Sequence, residues 1–272
     1  IAGVVLGGFF NIKHALKFLK HRRIKFASLH IRKHLKPLVV IFGGVIAITV
    51  YTLVDTVLLG LLVSDESVGL YTAANKITKI SLSVVTSLSI VMVPRLSFAI
   101  FDRNEAEIKR LLDLSLNFVN SFSIPMTIGI FALAPELIHI FSGVEFEPAI
   151  VTLRILSPLI FIIGLASVLS NQILSSFSQD SLVMKSAIAG SIVSVILNFI
   201  LIPKFQENGS ALSNLAAEIL VTVIVLYYAK QQVTLKLPLK QFFINLLFCM
   251  PILLFVSLFR QLFSDSLIII LC

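Results

Sequence analysis

The sequence predicts an all-α protein, a polytopic bundle of transmembrane helices, and three observations carry that prediction. Of its 272 residues 57% are hydrophobic and 13% charged, with a mean hydropathy of +1.02. That is more apolar surface than a soluble chain of this length can bury. Several uncharged or nearly uncharged runs reach the ~20 residues that a helix needs to cross a bilayer core. Basic residues, finally, concentrate in alternate connections between those runs.

Residues 1–12 are uncharged and read as the end of a span. No basic leader precedes them, which argues against a signal peptide. From Lys13 to Lys36 there are nine Lys/Arg, four His and no acid. Ile12, Leu16 and Leu19 share a helical face beside Lys13, Lys17 and Lys20, so 13–36 reads as a basic amphipathic linker on the cytoplasmic surface. Such a cluster also suits anionic lipid headgroups, making membrane lipids a partner.

Apolar runs follow at 37–64, 67–94, 114–135, 155–179, 186–203, 208–229 and 241–259. They give seven complete spans. Residues 266–272, Ser-Leu-Ile-Ile-Ile-Leu-Cys, read as the start of another cut short, so the sequence suggests a fragment lacking an N-terminal portion. With 13–36 in the cytoplasm, the connections near 95–113, 176–185 and 230–240 lie there too and carry eight Lys/Arg. The opposite connections, near 64–67, 136–148, 204–207 and 263–265, carry one, Lys204. This asymmetry fixes the orientation and accounts for the net charge of +8 without nucleic acid. Cys249 and Cys272 lie in apolar runs and suggest neither a disulfide nor a metal. His139 with Glu136, Glu145 and Glu147 matches no ligand spacing and reads as a solvated outer loop. Asn208-Gly-Ser210 is formally a glycosylation sequon but is read as a turn.

The first two complete runs form a hairpin around the acidic turn Ser64-Asp65-Glu66-Ser67 and keep three charges in the membrane: Asp55, Lys76 and Lys79. Counted from the turn, Asp55 lies level with Lys76, which suggests an ion pair across the hairpin. Charges at that depth cost several kcal/mol and face a polar interior. Thr72, Lys76, Lys79, Ser83 and Thr86 step by four, three, four and three, which makes one stripe; Thr72 counts only as its member. Tyr51, Thr52 and Asp55 share a face. Ser210, Asn214, Glu218 and Thr222 step by four, as do Gly190, Ser194 and Asn198. The last set reads as helix-packing residues, and Pro125 as a kink. Glu218 reads either as a buried hydrogen-bond partner or as a protonatable coupling group. Arg154 can line the interior or snorkel to the outer boundary. Counting Asp55 and Glu218 against Lys76, Lys79 and Arg154, the interior is net basic and suits an anionic, hydrogen-bond-rich solute.

His34-Leu-Lys-Pro37, Tyr51-Thr-Leu-Val-Asp55-Thr-Val-Leu-Leu-Gly60, Ser67-Val-Gly-Leu-Tyr71-Thr-Ala-Ala-Asn-Lys76 and Ile90-Val-Met-Val-Pro94-Arg-Leu-Ser97 resemble the entry to the second half of Wzx-type oligosaccharide flippases. These belong to the MOP superfamily, with MATE exporters and lipid II flippases. The resemblance implies two six-helix bundles around a V-shaped cavity. On that mapping 1–12 ends the first lobe, 13–36 is the linker, 37–229 the second lobe, and 230–272 an extra helix and the start of another. It implies transfer of polyprenyl-pyrophosphate-linked oligosaccharide across the bacterial cytoplasmic membrane for O-antigen or capsule assembly, beside polysaccharide polymerase and chain-length machinery. By analogy Lys76 and Lys79, with Thr72 and Arg154, bind the cargo, while Asp55 or Glu218 couples transport to H+ or Na+; no cofactor is implied. A MATE-type exporter of cations is the alternative, with an expected acid-rich cavity. A membrane polymerase or glycosyltransferase is a further one, disfavoured because the loops lack paired catalytic acids.

Overall fold

The computed structural model describes residues 31–235 and 238–263, without some of the side chains near its ends. The expected end of a first lobe at 1–12, most of the linker 13–36, and the tail 264–272 lie outside the described residues, as do the side chains of Tyr51, Thr52 and Arg260. The chain divides into two compact units, Ile1–Val39 and Val40–Cys272. The described part of the first, residues 31–39, is helical. All that follows concerns the second.

Helix α1 spans Ile31–Leu62 and α2 spans Asp65–Phe101. The acidic turn between them works as a helix start. Ser64 is the N-cap of α2, its hydroxyl accepting from the Ser67 amide at 3.2 Å, and Asp65 and Glu66 sit in the first turn. Both features offset the unpaired amides and positive dipole end of the helix. Helix α3, Glu105–Ala132, starts the same way: Asn104 accepts from the Glu107 amide at 3.0 Å. Arg110 then grips Glu107 through two 2.7 Å hydrogen bonds, holding that exposed carboxyl below its usual range. Helix α3 runs through Pro125.

The connection 136–148, expected as a solvated loop, is mostly helix: α4 spans Ala134–Ser142, followed by a 3-10 turn at Val144–Phe146. Pro135 in the first turn favours that start, and the fully buried Ile138 anchors it. The run expected at 155–179 is a broken span. Helix α5, Ala149–Leu156, and α6, Leu159–Ser167, are interrupted at Ser157-Pro158, and a π-helix follows at Val168–Leu174. Ser157 and Pro158 keep helical dihedrals, but Pro158 has no N–H to donate to the carbonyl one turn back, which accounts for the first interruption. Helix α7, Asp180–Gln232, folds back on itself at Gln206, whose φ of 51° and ψ of −127° are not helical. Helix α8, Leu239–Phe263, completes the described chain and packs on the bundle through Phe242 against Phe161, ring centroids 5.2 Å apart.

Four of these helices are long and apolar enough to cross a membrane among the described residues: α2, α3, the α5–π span Ala149–Leu174, and α7. Each half of α7 has about 26 residues, or ~39 Å, so α7 supplies two crossings. Shorter apolar stretches lie in α1 (Leu53–Leu62) and α8 (Lys240–Val256).

Where helices meet, small residues let them approach. Gly164 of α6 lies against Val85 of α2 and Val119 of α3. Gly190 and Val221 bring the two halves of α7 together, and Gly209 packs on the backbone of Leu201 and Ile202. Asn208 accepts from Thr152 at 2.9 Å and Ser210 is fully buried. This geometry is that of a closed turn. The apolar core has two parts, one around Leu59, Tyr71, Leu153, Leu156 and Ile160, and one around Met92, Leu96, Leu169, Ile173 and Val225.

Candidate functional site

Asp55 is fully buried, and its carboxylate is enclosed by four neutral donors from α2 and both halves of α7. Ser194 Oγ (3.1 Å) and Asn198 Nδ2 (2.6 Å), on the first half of α7, donate to Oδ1. Tyr71 OH of α2 (3.2 Å) and Asn214 Nδ2 of the second half of α7 (3.1 Å) donate to Oδ2. Asn214 Nδ2 also donates to Tyr71 OH at 3.0 Å, and Asn198 Nδ2 to Ser194 Oγ at 3.2 Å. The cluster ties both halves of α7 to the α1–α2 hairpin. Asn198 Oδ1 is one of the buried polar atoms without a hydrogen bond among the described residues, so the cluster holds an unused oxygen atom in an apolar setting.

Two expectations change here. The cross-hairpin partner of Asp55 is Tyr71, not Lys76. Lys76 lies five residues further on, about 140° around the helix from Tyr71, and is exposed. The set Gly190, Ser194 and Asn198, expected from its spacing to pack helices, divides. Gly190 does pack, but Ser194 and Asn198 bind the carboxylate.

Beside this cluster, a cavity of about 440 Å³ opens among α2, the α6–π segment and both halves of α7. Lys79 and Thr86 reach it from the lysine stripe, Ser170 and Asn171 from the π-helix, and Asn214 and Glu218 from the second half of α7. Glu218 is 6% exposed. Asn214 therefore belongs to both sites: it binds Asp55 and lines the cavity. Replacing Asn214 by leucine is expected to destabilise the Asp55 cluster and to remove a polar group from the cavity wall together; the first loss is read as a lower melting temperature.

The structure thus brings Lys79 and Glu218 to one cavity, with Asp55 one residue behind it. It does not bring in the rest. Thr72 is half-buried and Lys76 exposed, and neither lines the cavity. Arg154 lies apart against α3: its Nε donates to Phe131 O at 3.4 Å, and its guanidinium sits 5.6 Å from the Phe131 ring centroid. With Asp55 enclosed and Lys76 and Arg154 elsewhere, the cavity lining holds one cation and one carboxylate rather than a basic excess.

The π-helix was not foreseen. Its i+5 bonding, with Ser175 N donating to Ser170 O at 2.9 Å, presents Asn171 to the cavity while Gln172 turns inward, fully buried, to donate to Ser89 Oγ at 3.0 Å. π-turns of this kind recur at functional sites. Polar Ser170-Asn171-Gln172 inside an apolar span was the one available signal.

A family described as lipid II flippase MurJ matches residues 1–271. The chain belongs to that family. A putative O-antigen transporter of Escherichia coli K12 is 31% identical over 208 residues, covering 75% of this chain and 49% of the relative. A solved lipid II flippase MurJ, in an inward closed conformation, superposes with a TM-score of 0.70 at 21% identity over 92% of this chain and 52% of that one. A MATE transporter in the straight conformation gives 0.67 at 18% over 76% and 47%. These structural likenesses show a shared fold. The chain spans about half the length of these relatives. The MurJ-family assignment meets the expectation of a MOP-superfamily flippase fold and makes the protein a multi-pass membrane member of a transporter family.

Proposed function

We propose that this chain is the second lobe, with part of an extra helical pair, of a flippase that carries polyprenyl-pyrophosphate-linked oligosaccharide across the bacterial cytoplasmic membrane for polysaccharide assembly. On this reading α1 through the second half of α7 form the lobe and α8 starts the extra pair, with 13–36 as the linker. The observation that carries it is the mid-span cavity, where Lys79, Glu218 and a set of amides and hydroxyls gather inside an otherwise apolar bundle. Membranes rarely hold such groups without a solute to use them. Membership of the MurJ family and the relative named as an O-antigen transporter support the same cargo class.

The lobe's residues divide the work. Lys79 meets the polar part of the cargo inside the cavity, Lys76 and Thr72 meet it on the adjoining face of α2, and the polyprenyl tail stays in lipid at the side of the bundle. Arg154, held against Phe131 away from the cavity, would meet the cargo only outside it. Rocking of this lobe against the other exposes the cavity to each face in turn. Asp55 couples that motion to H+ or Na+: its carboxylate can take a proton, and with Asn198 Oδ1 it offers hard oxygen atoms to a cation. Glu218 is the second coupling candidate. No catalytic step is involved. Polysaccharide polymerase and chain-length machinery would take the product outside.

The test is flipping in proteoliposomes with the full-length protein and a fluorescent polyprenyl-pyrophosphate oligosaccharide, run beside efflux of a cationic dye. Wild-type protein is expected to flip the lipid, and Lys79→Ala to slow it roughly tenfold or more, the loss of a charge-assisted hydrogen bond. Dye efflux without lipid flipping would replace this reading by a MATE-type exporter.

A further inference from the structure

Helix α4 has three faces rather than two. Ala134 and the fully buried Ile138, four residues apart, form the seam that packs on the bundle. At ~100° per residue, Leu133, Leu137, Ile140 and Phe141 fall on one flank of that seam, and Glu136, His139 and Ser142 on the other. The apolar flank is the open one: Ile140 is 61% and Phe141 64% exposed, while the polar flank is half-buried. A helix in water would carry these flanks the other way round. A helix lying along a bilayer surface turns its apolar flank to the acyl boundary.

Arg154 supplies an independent observation at the same end of the bundle, where α4 leads from the end of α3 to the start of α5. It lies five residues, ~7.5 Å, inside the span Ala149–Leu174, a depth from which a long side chain reaches the edge of the hydrocarbon core. Its Nε is committed to Phe131 O, and its guanidinium rests on the Phe131 ring. The two Nη groups have no hydrogen-bond or ion-pair partner among the described residues. Phe131 beneath them and Val151 one turn away are both exposed and apolar. Free guanidinium N–H groups on such a surface suit an anion that arrives with hydrocarbon attached.

We propose that the apolar flank of α4 and Arg154 together form a binding surface for a phospholipid of the leaflet opposite the basic connections. The lipid's phosphodiester takes the free Nη groups, and its acyl chains cover the apolar flank. The flank continues the exposed apolar surface of two membrane-crossing elements, through Phe131 of α3 and Val151 of α5, which favours lipid over a partner protein. Headgroup charge is not what is recognised. Glu145 and Glu147 are exposed in the same connection, so an anionic headgroup drawn by Arg154 is repelled by them, and the phosphate common to all phospholipids remains as the ligand. Such a contact fixes the depth of the α3–α5 corner in the membrane while the rest of the lobe moves. It requires that the chain span a membrane, and it stands whatever the cargo is.

Two measurements on the full-length protein test this. In phosphatidylcholine nanodiscs, spin labels are attached singly at Ile140→Cys, Phe141→Cys and Ser142→Cys in a cysteine-free background, and their collisions with oxygen, which enters lipid, are compared with those of a water-soluble nickel chelate. The labels at 140 and 141 are expected to favour oxygen several-fold more than the label at 142. Preference for the chelate at 140 and 141 overturns the proposal, because the flank would then face water or a soluble partner. In the second measurement, native mass spectrometry follows titration of the detergent-purified protein with phosphatidylcholine. Arg154→Ala is expected to bind the lipid about tenfold more weakly, the loss of charge-assisted hydrogen bonds, and Arg154→Lys, which keeps the charge without the fork, to lose less. Unchanged affinity in Arg154→Ala overturns the proposal. So does displacement of the bound phosphatidylcholine by polyprenyl-pyrophosphate oligosaccharide, which would make the corner a cargo site.

Discussion

Replacing Asp55 by alanine is expected to lower the stability of the lobe by roughly 2–4 kcal/mol and to abolish transport. The four donors that converge on its carboxylate would be left facing one another in an apolar interior. A hydrogen bond to a charged group contributes ~1.5–3 kcal/mol in general, but interhelical bonds in membranes average nearer ~0.6 kcal/mol, because the unfolded reference state also finds partners. Four of them on one carboxylate, joining α1, α2 and both halves of α7, set the range. Tyr71→Phe removes a single donor and should cost about 1 kcal/mol or less. Asp55→Asn keeps the volume but brings its own N–H donors against Ser194 and Asn198, so it should fall between the two. Thermal unfolding of the purified protein in detergent gives the order: Tyr71→Phe least, then Asp55→Asn, then Asp55→Ala. An Asp55→Ala protein that melts like wild type would mean that the cluster contributes nothing to the fold.

Gly209→Ala is expected to be the second severe change, and it acts through backbone rather than charge. A methyl there meets Leu201 O, with the Leu201 carbonyl carbon at 2.6 Å and the Ile202 nitrogen at 2.9 Å. None of these can swing away, so the two halves of α7 must separate at their turn. Overpacking of this kind costs ~1–3 kcal/mol, occasionally more, and here also displaces Ser210 and Asn214. Gly190→Ala offers the contrast. Its methyl meets the Val221 side chain, which can be trimmed. Gly190→Ala alone should destabilise the protein, and Gly190→Ala with Val221→Ala should recover most of the loss. No trimming is expected to rescue Gly209→Ala. Expression level and melting temperature of the single and double variants test this directly, and a well-folded Gly209→Ala would refute the close turn.

The spans and their polarity were legible in the sequence because the bilayer imposes a length and forbids charge. The Asp55 anomaly was legible for the same reason, since one acid in a long apolar run must be answered by something. What answered it was not legible. Tyr71 lies five residues, ~7.5 Å, nearer the turn than Lys76, and counting residues from a turn captures neither the reach of a long side chain nor its direction around the helix. Ser194, Asn198 and Asn214 come from far along the chain; only their four-residue spacing hinted that they shared faces, and that spacing serves packing and ligation equally well. Polar Ser170-Asn171-Gln172 marks the turn at 168–174 as unusual but does not specify a π-helix, so the placement of Asn171 and Gln172 had to come from structure. The segment 136–148 was misread for an identifiable reason: its charges suggested a loop, although Pro135 followed by Leu137, Ile138, Ile140 and Phe141 is the pattern of a short half-buried helix.

The account depends on the cavity between α2, the α6–π segment and α7 being where the cargo's polar end resides during transfer. Photo-crosslinking reads this most directly. A benzophenone side chain is placed singly at Leu82, Ile163 or Val221 on the cavity wall, and at Ile196 or Phe199, exposed on the outside of α7. Incubation with labelled lipid-linked oligosaccharide is expected to mark the three wall positions through the sugar. Ile196 and Phe199 should be marked through the polyprenyl chain or not at all. Sugar label on the outer positions, with none at Leu82, Ile163 and Val221, would contradict the account.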